Sequence, residues 1–178
     1  MKNTAIILVS TILSIHYVTV AQDTEIQPYE VIKKIDSIEI RFYPSATLVQ
    51  TSGGNNFGKL FRYISGSNES EQKIAMTAPV YMNQDKSEMA FVMPIDVHQK
   101  GAPKPMGENV SLRITKPRYV AAIRYGGYTN TSKEATHTKR LMKALEDYSI
   151  KANGAIEYLG YDSPCLLYTS DAADEVVS

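Results

Sequence analysis

The stretch at residues 73–80, Lys-Ile-Ala-Met-Thr-Ala-Pro-Val, limits the folding of this chain more than any other part of it. Pro79 has no backbone N–H to donate, and its ring biases Ala78 towards an extended conformation. These two restrictions exclude a helix here, and they exclude the middle of a central strand. We therefore predict a buried extended turn that joins a short helix on its N-terminal side to strands on its C-terminal side.

Apolar residues that recur at strand spacing or at helical spacing divide most of the remaining chain into strands and helices. Alternating or continuous apolar residues predict strands at residues 30–35, 37–43, 46–51, 80–94, 110–114, 118–125 and 155–161. A helix is predicted at residues 57–65, ended by Gly66, because four apolar residues recur there at helical spacing. They are Phe57, Leu60, Phe61 and Ile64. A capping box at residues 131–134 opens a second, longer amphipathic helix.

The order strand, strand, helix, strand occurs twice, at residues 38–91 and at residues 110–161. Sequence identity between the two copies is slight, so the repeat is one of element order. With 178 residues, of which 43% are hydrophobic, the chain is long enough for one core and too short for two. We predict a single α+β domain in which two helices pack on a mostly antiparallel sheet.

The stretch at residues 73–80 and the preceding residues 59–68, Lys-Leu-Phe-Arg-Tyr-Ile-Ser-Gly-Ser-Asn, resemble the SOUL or haem-binding-protein family. The hallmark of that family is a KIxMTxPV segment that follows a helix ending in a Tyr-Ile-x-Gly-x-Asn turn. Further segments match in the family's order: residues 38–43 before this stretch, and residues 91–94, 124–128 and 160–164 after it. The resemblance covers residues 29–164, and it implies a distorted antiparallel β-barrel with two helices and an internal pseudo-twofold repeat.

The same resemblance implies a non-catalytic protein that binds haem or a related tetrapyrrole. It assigns the family's haem-contacting helix to the first predicted helix, whose apolar face is flanked by two cations. The candidate ligand-binding residues are Phe57, Lys59, Leu60, Phe61, Arg62 and Ile64. A tetrapyrrole offers a large apolar face and two propionate carboxylates, which Lys or Arg can pair. The His proposed as an iron ligand in one branch of the family falls at Phe42, so we expect binding without a strong axial ligand.

Four methionines on the adjoining strands are further candidates for contact with a flat ligand, because thioether side chains adapt to polarizable surfaces. They are Met76, Met82, Met89 and Met93. A small domain also needs such residues in its core. We therefore interpret Met76, Met89 and Met93 first as core residues.

Charge and motifs exclude several other functions. The 19 Lys and Arg residues balance the 19 Asp and Glu residues, so no basic footprint favours nucleic acid. His98 and His137 each lack a second ligand at metal-binding spacing, so we predict that both lie at the surface and that the protein holds no metal site. The sequence contains no nucleophile elbow and no phosphate-binding glycine loop. We therefore predict that the protein is not an enzyme.

Both ends of the chain differ from the predicted domain at residues 22–164. Lys2 is followed by an apolar run, and small residues end this region at Ala21. This pattern predicts a signal peptide at residues 1–21 that is cleaved after Ala21. We therefore expect a secreted chain without an integral membrane segment. Residues 165–178 show no alternating apolar pattern, and we expect this tail to be an assembly artefact that replaces the family's closing strand. Glycosylation sequons begin at Asn68, Asn109 and Asn130.

The sequence is also compatible with two other functions. Some members of the family are linked to partner binding and cell-death regulation, so a protein-interaction module of the same fold is the first alternative. An enzyme that acts on a tetrapyrrole or another small molecule is the weaker one, because related folds support both ligand sensing and catalysis. A porphyrin titration separates the tetrapyrrole-binding protein from the interaction module.

Overall fold

The computed structural model describes residues 24–127 and 130–161, and the backbone of residues 173–177. Its strands in chain order are β1 (Glu25–Ile26), β2 (Glu30–Ile35), β3 (Ile38–Tyr43), β4 (Thr47–Ser52), β5 (Thr77–Ala78), β6 (Val80–Asn83), β7 (Glu88–Val92), β8 (Val110–Ile114), β9 (Arg118–Tyr125), β10 (Ile156–Gly160) and β11 (Ala173–Val177). Its helices are α1 (Asn56–Ile64), α2 (Ile95–Lys100) and α3 (Thr131–Asp147). The predicted signal peptide lies outside the described residues.

Nine strands form one antiparallel sheet in the order β2-β3-β9-β11-β10-β6-β7-β4-β8, and β1 pairs separately with β5 in parallel. The predicted mixture of helices with an antiparallel sheet is confirmed. No pairing joins β2 to β8 among the described strands, so the predicted closed barrel is not confirmed. The predicted helices are α1 and α3. The six-residue helix α2 is a third, which the sequence did not indicate because Val97 is its one buried side chain.

The repeat of element order is visible in the sheet. The first copy consists of β3, β4, α1, β6 and β7, and the second consists of β8, β9, α3, β10 and β11. The third strands of the two copies, β6 and β10, pair at the centre. On either side of this pair lie the fourth strands, β7 and β11, and then the second strands, β4 and β9. Next to these lie the first strands, each beside the second strand of the other copy: β8 beside β4 and β3 beside β9. Apart from β2, which lies outside β3 at one end of the sheet, the strand order is therefore symmetric when the two copies are exchanged.

The two faces of the sheet carry different cores. Side chains on one face form a single buried cluster with members on β3, β4, β6, β7, β9 and β10. Because β3 and β4 lie near opposite ends of the sheet, the sheet must curve around this cluster, which makes this the inner face. On the outer face, α1 packs against β4 and β7, and α3 packs against β9 and β11. Both long helices thus lie on the same, outer side of the sheet.

The segment at residues 73–80 is extended, as predicted, and half of its residues are buried. Thr77, Ala78 and Pro79 are buried, and the Ala78–Pro79 peptide bond is cis. The Oγ1 hydroxyl of Thr77 donates to the carbonyl oxygen of Val92 at 2.6 Å. These contacts attach the segment to β7, the last strand of the first copy of the repeat.

The C-terminal tail differs from its prediction. The prediction that residues 165–178 contain no closing strand is wrong, because the backbone of β11 pairs with β9 on one side and β10 on the other. A strand inside a sheet is held by backbone hydrogen bonds along both edges, which an alternation pattern does not report. Cys165 and its neighbours lie outside the described residues. None of the helices in the described part of the chain has the length and hydropathy that crossing a bilayer requires.

Candidate functional site

Helix α1 carries the predicted ligand-binding residues, and the structure divides them between two environments. Leu60 and Ile64 are buried in a cluster with Val49 and Phe91 on the sheet and with Met93, the residue after β7. They lie one turn apart, on the stripe of the helix that faces the sheet. The prediction that Leu60 and Ile64 form part of a ligand surface is therefore wrong in this structure, since side chains covered by the sheet cannot contact a ligand on the outer side.

Phe57 and Phe61 are the two predicted residues that stay exposed as large apolar groups. Phe57 is 39% exposed and Phe61 is 51% exposed. Their rings are stacked, with centroids 6.0 Å apart and an interplanar angle of 13°. The ring of Phe57 also meets Phe91 edge-on, at 5.4 Å. The pair is thus anchored to the core at one end and open to solvent at the other.

The opposite flank of α1 faces the β8 edge of the sheet. Lys59 Nζ donates to the carbonyl oxygen of Ser52, at the end of β4, at 2.8 Å. The hydroxyl of Tyr63 donates to the carbonyl oxygen of Pro103, in the loop that leads to β8, at 2.7 Å. Successive residues of a helix are about 100° apart, so Phe57 lies roughly opposite Lys59 around the axis. The phenylalanine pair therefore faces β6 and the centre of the sheet.

Half-buried apolar side chains of the sheet continue the surface that this pair begins. Val80 on β6 is the direct partner of Phe91, and Met82 is the direct partner of Met89 on β7, which puts all four on the outer face. Val80, Met82 and Met89 are each partly exposed. We call the surface formed by Phe57, Phe61, Val80, Met82 and Met89 the apolar strip. Gly160, opposite Val80 on β10, adds no side chain to it.

The remaining methionines have separate environments. Met93 is buried in the cluster beneath α1, which confirms its interpretation as a core residue. Met76 packs against the same cluster and is partly exposed. Met89 does the same from β7, so its side chain belongs both to the core and to the apolar strip.

The two predicted cations of α1 differ in what they contact. Lys59 already donates to a carbonyl group on the flank away from the apolar strip. Arg62 is exposed, and within the described part of the chain no hydrogen bond or ion pair holds its guanidinium group. It lies about 100° around the helix from Phe61. Arg62 is therefore the cation of α1 whose donors stay available: it lies on the solvent side of the helix and is nearer in angle to Phe61 than Lys59 is, at about 100° against about 160°.

The β6–β7 turn connects the first turns of both long helices, which the sequence did not indicate. Asn56, the first residue of α1, donates through Nδ2 to the carbonyl oxygen of Ser87 at 2.9 Å. Lys86 forms an ion pair with Glu134 of α3, with Nζ 2.7 Å from Oε1. The N-cap of α3 is Asn130, whose Oδ1 accepts from the backbone N–H of Lys133. The Glu134 side chain therefore pairs with the β6–β7 turn, whereas the predicted capping box had it capping the N-terminus of α3.

Both described histidines were predicted at the surface, and both are partly buried. His98 Nδ1 lies 2.8 Å from the hydroxyl oxygen of Thr47, and His137 stacks on Tyr125 at 4.2 Å with an interplanar angle of 6°. Burial lowers the pKa of His137, and the nearby positive charges of Arg140 and Lys133 lower this pKa further. No group of three or more His, Cys, Asp or Glu within the described residues is arranged to hold a metal ion.

A pocket of about 230 Å³ lies between the start of β4 and α2, and no residue of α1 is among those that line it. Gln27, Ala46, Thr77, Val92 and His98 are among the residues that line it. Its volume lies below the ~300–1,000 Å³ of most small-molecule sites, so it is too small to enclose a tetrapyrrole. Compared with this pocket, the apolar strip is the better candidate for a large flat ligand.

Comparison with known proteins supports the resemblance inferred from the sequence. The model of the SOUL heme-binding protein family matches residues 24–177. The chain is 30% identical to heme-binding protein 2 of Homo sapiens over 149 residues, which cover 74% of this chain and 73% of that protein. It is 28% identical to heme-binding protein 1 of Mus musculus over 120 residues, 62% of this chain. That match spans 63% of the mouse protein, less than two thirds of its length.

A solved structure shares the fold at a much greater sequence distance. The crystal structure of the EcmrR C-terminal domain aligns with a TM-score of 0.51 at 11% identity, covering 84% of this chain and 95% of that one. At this identity the likeness concerns the fold alone. The family match over residues 24–177 and the human relative decide the classification. The chain belongs to the SOUL heme-binding protein family.

Proposed function

We propose that the protein binds haem or a related tetrapyrrole without a covalent bond and without catalysing a reaction. The observation that carries this proposal is the stacked, exposed pair of Phe57 and Phe61 beside the half-buried methionines of the sheet. Relatives named heme-binding proteins support the class of ligand. The ligand surface is the apolar strip, and the ligand lies flat against it.

The physical basis is complementarity between the apolar strip and one face of a macrocycle. Exposed aromatic rings lose unfavourable contact with water when a flat apolar ligand covers them, and aromatic pairs gain about 0.5–1.5 kcal/mol beyond that burial. The thioether groups of Met82 and Met89 adapt to such a face. An apolar surface of this kind is typical of a binding site on a soluble protein.

The polar part of the ligand is recognised separately. A propionate carboxylate at the edge of the macrocycle meets the guanidinium group of Arg62, which offers two parallel N–H donors. Iron ligation by the protein is not part of the proposal, because Phe42 occupies the position of the family's proposed His and neither His98 nor His137 belongs to the apolar strip. Burial of apolar area and propionate contacts therefore provide the affinity.

Haemin titration of wild type and of Phe61→Ser tests the proposal. We expect the variant to bind at least tenfold more weakly, a loss of about 1.4 kcal/mol, because it removes an exposed ring and keeps the core contacts of α1. Ile114→Ser is the matched control, since Ile114 is also an exposed apolar residue, at 69%, but lies on β8. Equal affinity of Phe61→Ser and wild type would refute the apolar strip as the ligand surface.

A protein partner is the second candidate, because an exposed aromatic pair is also typical of protein interfaces. The same titration separates the two. No haemin binding by wild type up to about 100 μM, a free energy of roughly −5.5 kcal/mol, would favour the interaction module.

We further propose that the protein is a secreted carrier. The basis is the sequence of residues 1–21, which lie outside the described residues. N-terminal sequencing of secreted material is expected to begin at Gln22. A mature chain that begins at Met1 would refute cleavage.

A further inference from the structure

The three Asn-x-Ser sequences of this chain differ in what holds the asparagine side chain. Asn68 is fully buried, with an exposed fraction of 0%. Its Nδ2 donates to the carbonyl oxygens of Tyr63 at 3.1 Å and of Gln72 at 2.8 Å. Its Oδ1 accepts from the backbone N–H groups of Ser70 at 3.2 Å and of Gln72 at 3.1 Å. Both donors and both acceptor positions of this amide are therefore in use.

This arrangement is incompatible with a sugar on Asn68. Glycosylation replaces one N–H bond of the amide with a bond to carbon, so the carbonyl group of Tyr63 or Gln72 would lose its donor. A buried side chain also has no path to solvent for an oligosaccharide. A chain modified at Asn68 before folding could not adopt this structure.

Asn130 is exposed but has a structural role. Its Oδ1 accepts from the backbone N–H of Lys133 at 2.9 Å, which holds the side chain against the first turn of α3. Its sequon continues into the helix, because Thr131 and Ser132 are the first helical residues. The acceptor hydroxyl of this sequon therefore lies on a regular helix.

Asn109 combines exposure with an uncommitted side chain. It lies in the turn before β8, with φ at 58°, a left-handed conformation that Asn tolerates well. Its backbone carbonyl oxygen accepts from the Thr51 hydroxyl at 2.7 Å, which fixes the turn without using the side chain. Within the described residues no hydrogen bond involves the side-chain amide of Asn109. Ser111, the hydroxyl residue of the sequon, is exposed on β8, the edge strand of the sheet.

We propose that Asn109 is an N-glycosylation site of the secreted protein and that Asn68 is not. The co-reactant is an oligosaccharide carried on a polyprenyl diphosphate. The Asn109 amide nitrogen attacks the anomeric carbon of this oligosaccharide: one N–C bond forms, one C–O bond breaks, the amide releases a proton and the polyprenyl diphosphate leaves. The inference depends on the predicted entry into a secretory pathway and is independent of the ligand proposed above.

The location of Asn109 makes a glycan compatible with the proposed ligand surface. Thr51, which holds Asn109, and Ser52, which holds Lys59, are neighbours at the end of β4. Asn109 therefore lies on the Lys59 flank of α1, opposite the flank of Phe57 and Phe61. A glycan there would cover β8, whose outer edge has no strand partner in the described sheet, and would shield it from pairing with another chain.

The test is expression of the full chain in a eukaryotic secretory cell line, followed by peptide mass spectrometry. Enzymatic glycan release in heavy-oxygen water marks each formerly modified asparagine. We expect the mark at Asn109 and not at Asn68 in secreted protein. Ser111→Ala should remove one glycan from the intact mass, whereas Ser70→Ala, the matched control, should leave the mass pattern unchanged.

Any of three results would overturn the inference: secreted protein unmodified at Asn109, secreted protein modified at Asn68, or a chain that stays in the cytosol without a glycan. N-terminal sequencing of the same sample separates failure of secretion from failure of the site. Because the readout involves no porphyrin, none of these results bears on haem binding.

Discussion

Lys86 Nζ lies 2.7 Å from Oε1 of Glu134, although the two residues are 48 positions apart. The Glu134 side chain is 7% exposed, and that of Lys86 is 44% exposed. A second Lys–carboxylate pair, Lys143 with Asp147, has the same 2.7 Å separation on the exposed surface of α3. The two pairs therefore differ in burial and in sequence separation while their distances agree.

Lys86→Ala should destabilise the protein by about 1 kcal/mol, because it removes a charged donor from a buried carboxylate. Lys143→Ala is the control, and we expect no measurable change, since an exposed pair within one helix gains little. Urea unfolding of the three proteins measures the difference. Equal stability of both variants would show that the contact between the β6–β7 turn and α3 contributes nothing.

Lowering the pH should reduce the stability of the folded protein, because Glu39 becomes protonated. Burial raises the pKa of this carboxyl group, but hydrogen bonds from Arg41 and Lys34 and their positive charges more than offset that effect, so its pKa lies below the ordinary 4.5. A folded-state pKa below the unfolded one adds stability above pH 4.5, and this stability is lost as the pH falls through the folded value. Arg41 is fully buried and depends on this carboxylate for one of its contacts.

Glu39→Gln should therefore cost about 1–2 kcal/mol at pH 7, and the difference from wild type should shrink at pH 3. Urea unfolding at both pH values provides the measurement. Lys34→Ala serves as the control with little expected effect, because the Lys34 side chain is 72% exposed. A difference between Glu39→Gln and wild type that stays constant from pH 7 to pH 3 would contradict this account.

Arg62→Ala should weaken binding of a free-acid porphyrin roughly ten- to a hundredfold, because a charge-assisted hydrogen bond contributes about 1.5–3 kcal/mol. Binding of the propionate diester should not change. Lys59→Ala should have the smaller effect, since Lys59 donates to Ser52 on the other flank of α1. Equal losses of the acid and the diester in Arg62→Ala would mean that Arg62 packs against the ligand and does not pair its carboxylate.

Met76→Ala should lower stability by about 2 kcal/mol, the lower end of the range for buried methionines, because Met76 packs on the cluster beneath α1 but is partly exposed. For a domain of this size the melting temperature should fall by about 4–8 °C. Met106→Ala, at a residue that is 70% exposed, should melt like wild type. If Met76→Ala melts normally yet loses porphyrin, residues 73–80 form a ligand site.

The sequence predicted most of the fold because side-chain periods report directly which residues are buried. β2, β3, β8, β9 and α3 lie close to their predicted positions, and so does α1. The same periods fail where burial is not periodic. Helix α2 has one buried residue, Val97, and β11 is held by neighbours on both edges, so neither produces a pattern that can be read from the sequence.

The candidate site was predicted less completely, for a related reason. Helical spacing identifies an apolar stripe, but it does not separate Leu60 and Ile64, which face the sheet, from Phe57 and Phe61, which lie at the edge of the stripe. That separation depends on where the sheet lies. The pairing of Lys86 with Glu134 depends on a contact between distant elements, and no local pattern reports it.

The symmetric strand order has a consequence for any attempt to divide this protein. Each copy of the repeat supplies the outer neighbour of the other, because β8 pairs with the outer side of β4, and β3 pairs with the outer side of β9. A cut in the backbone between α2 and β8 would therefore release two fragments with interlocking edges, neither of which holds a finished sheet. The two fragments should regain the fold when they are mixed in one solution, and neither should fold alone. In this respect the intact chain is equivalent to a dimer whose two subunits are covalently joined.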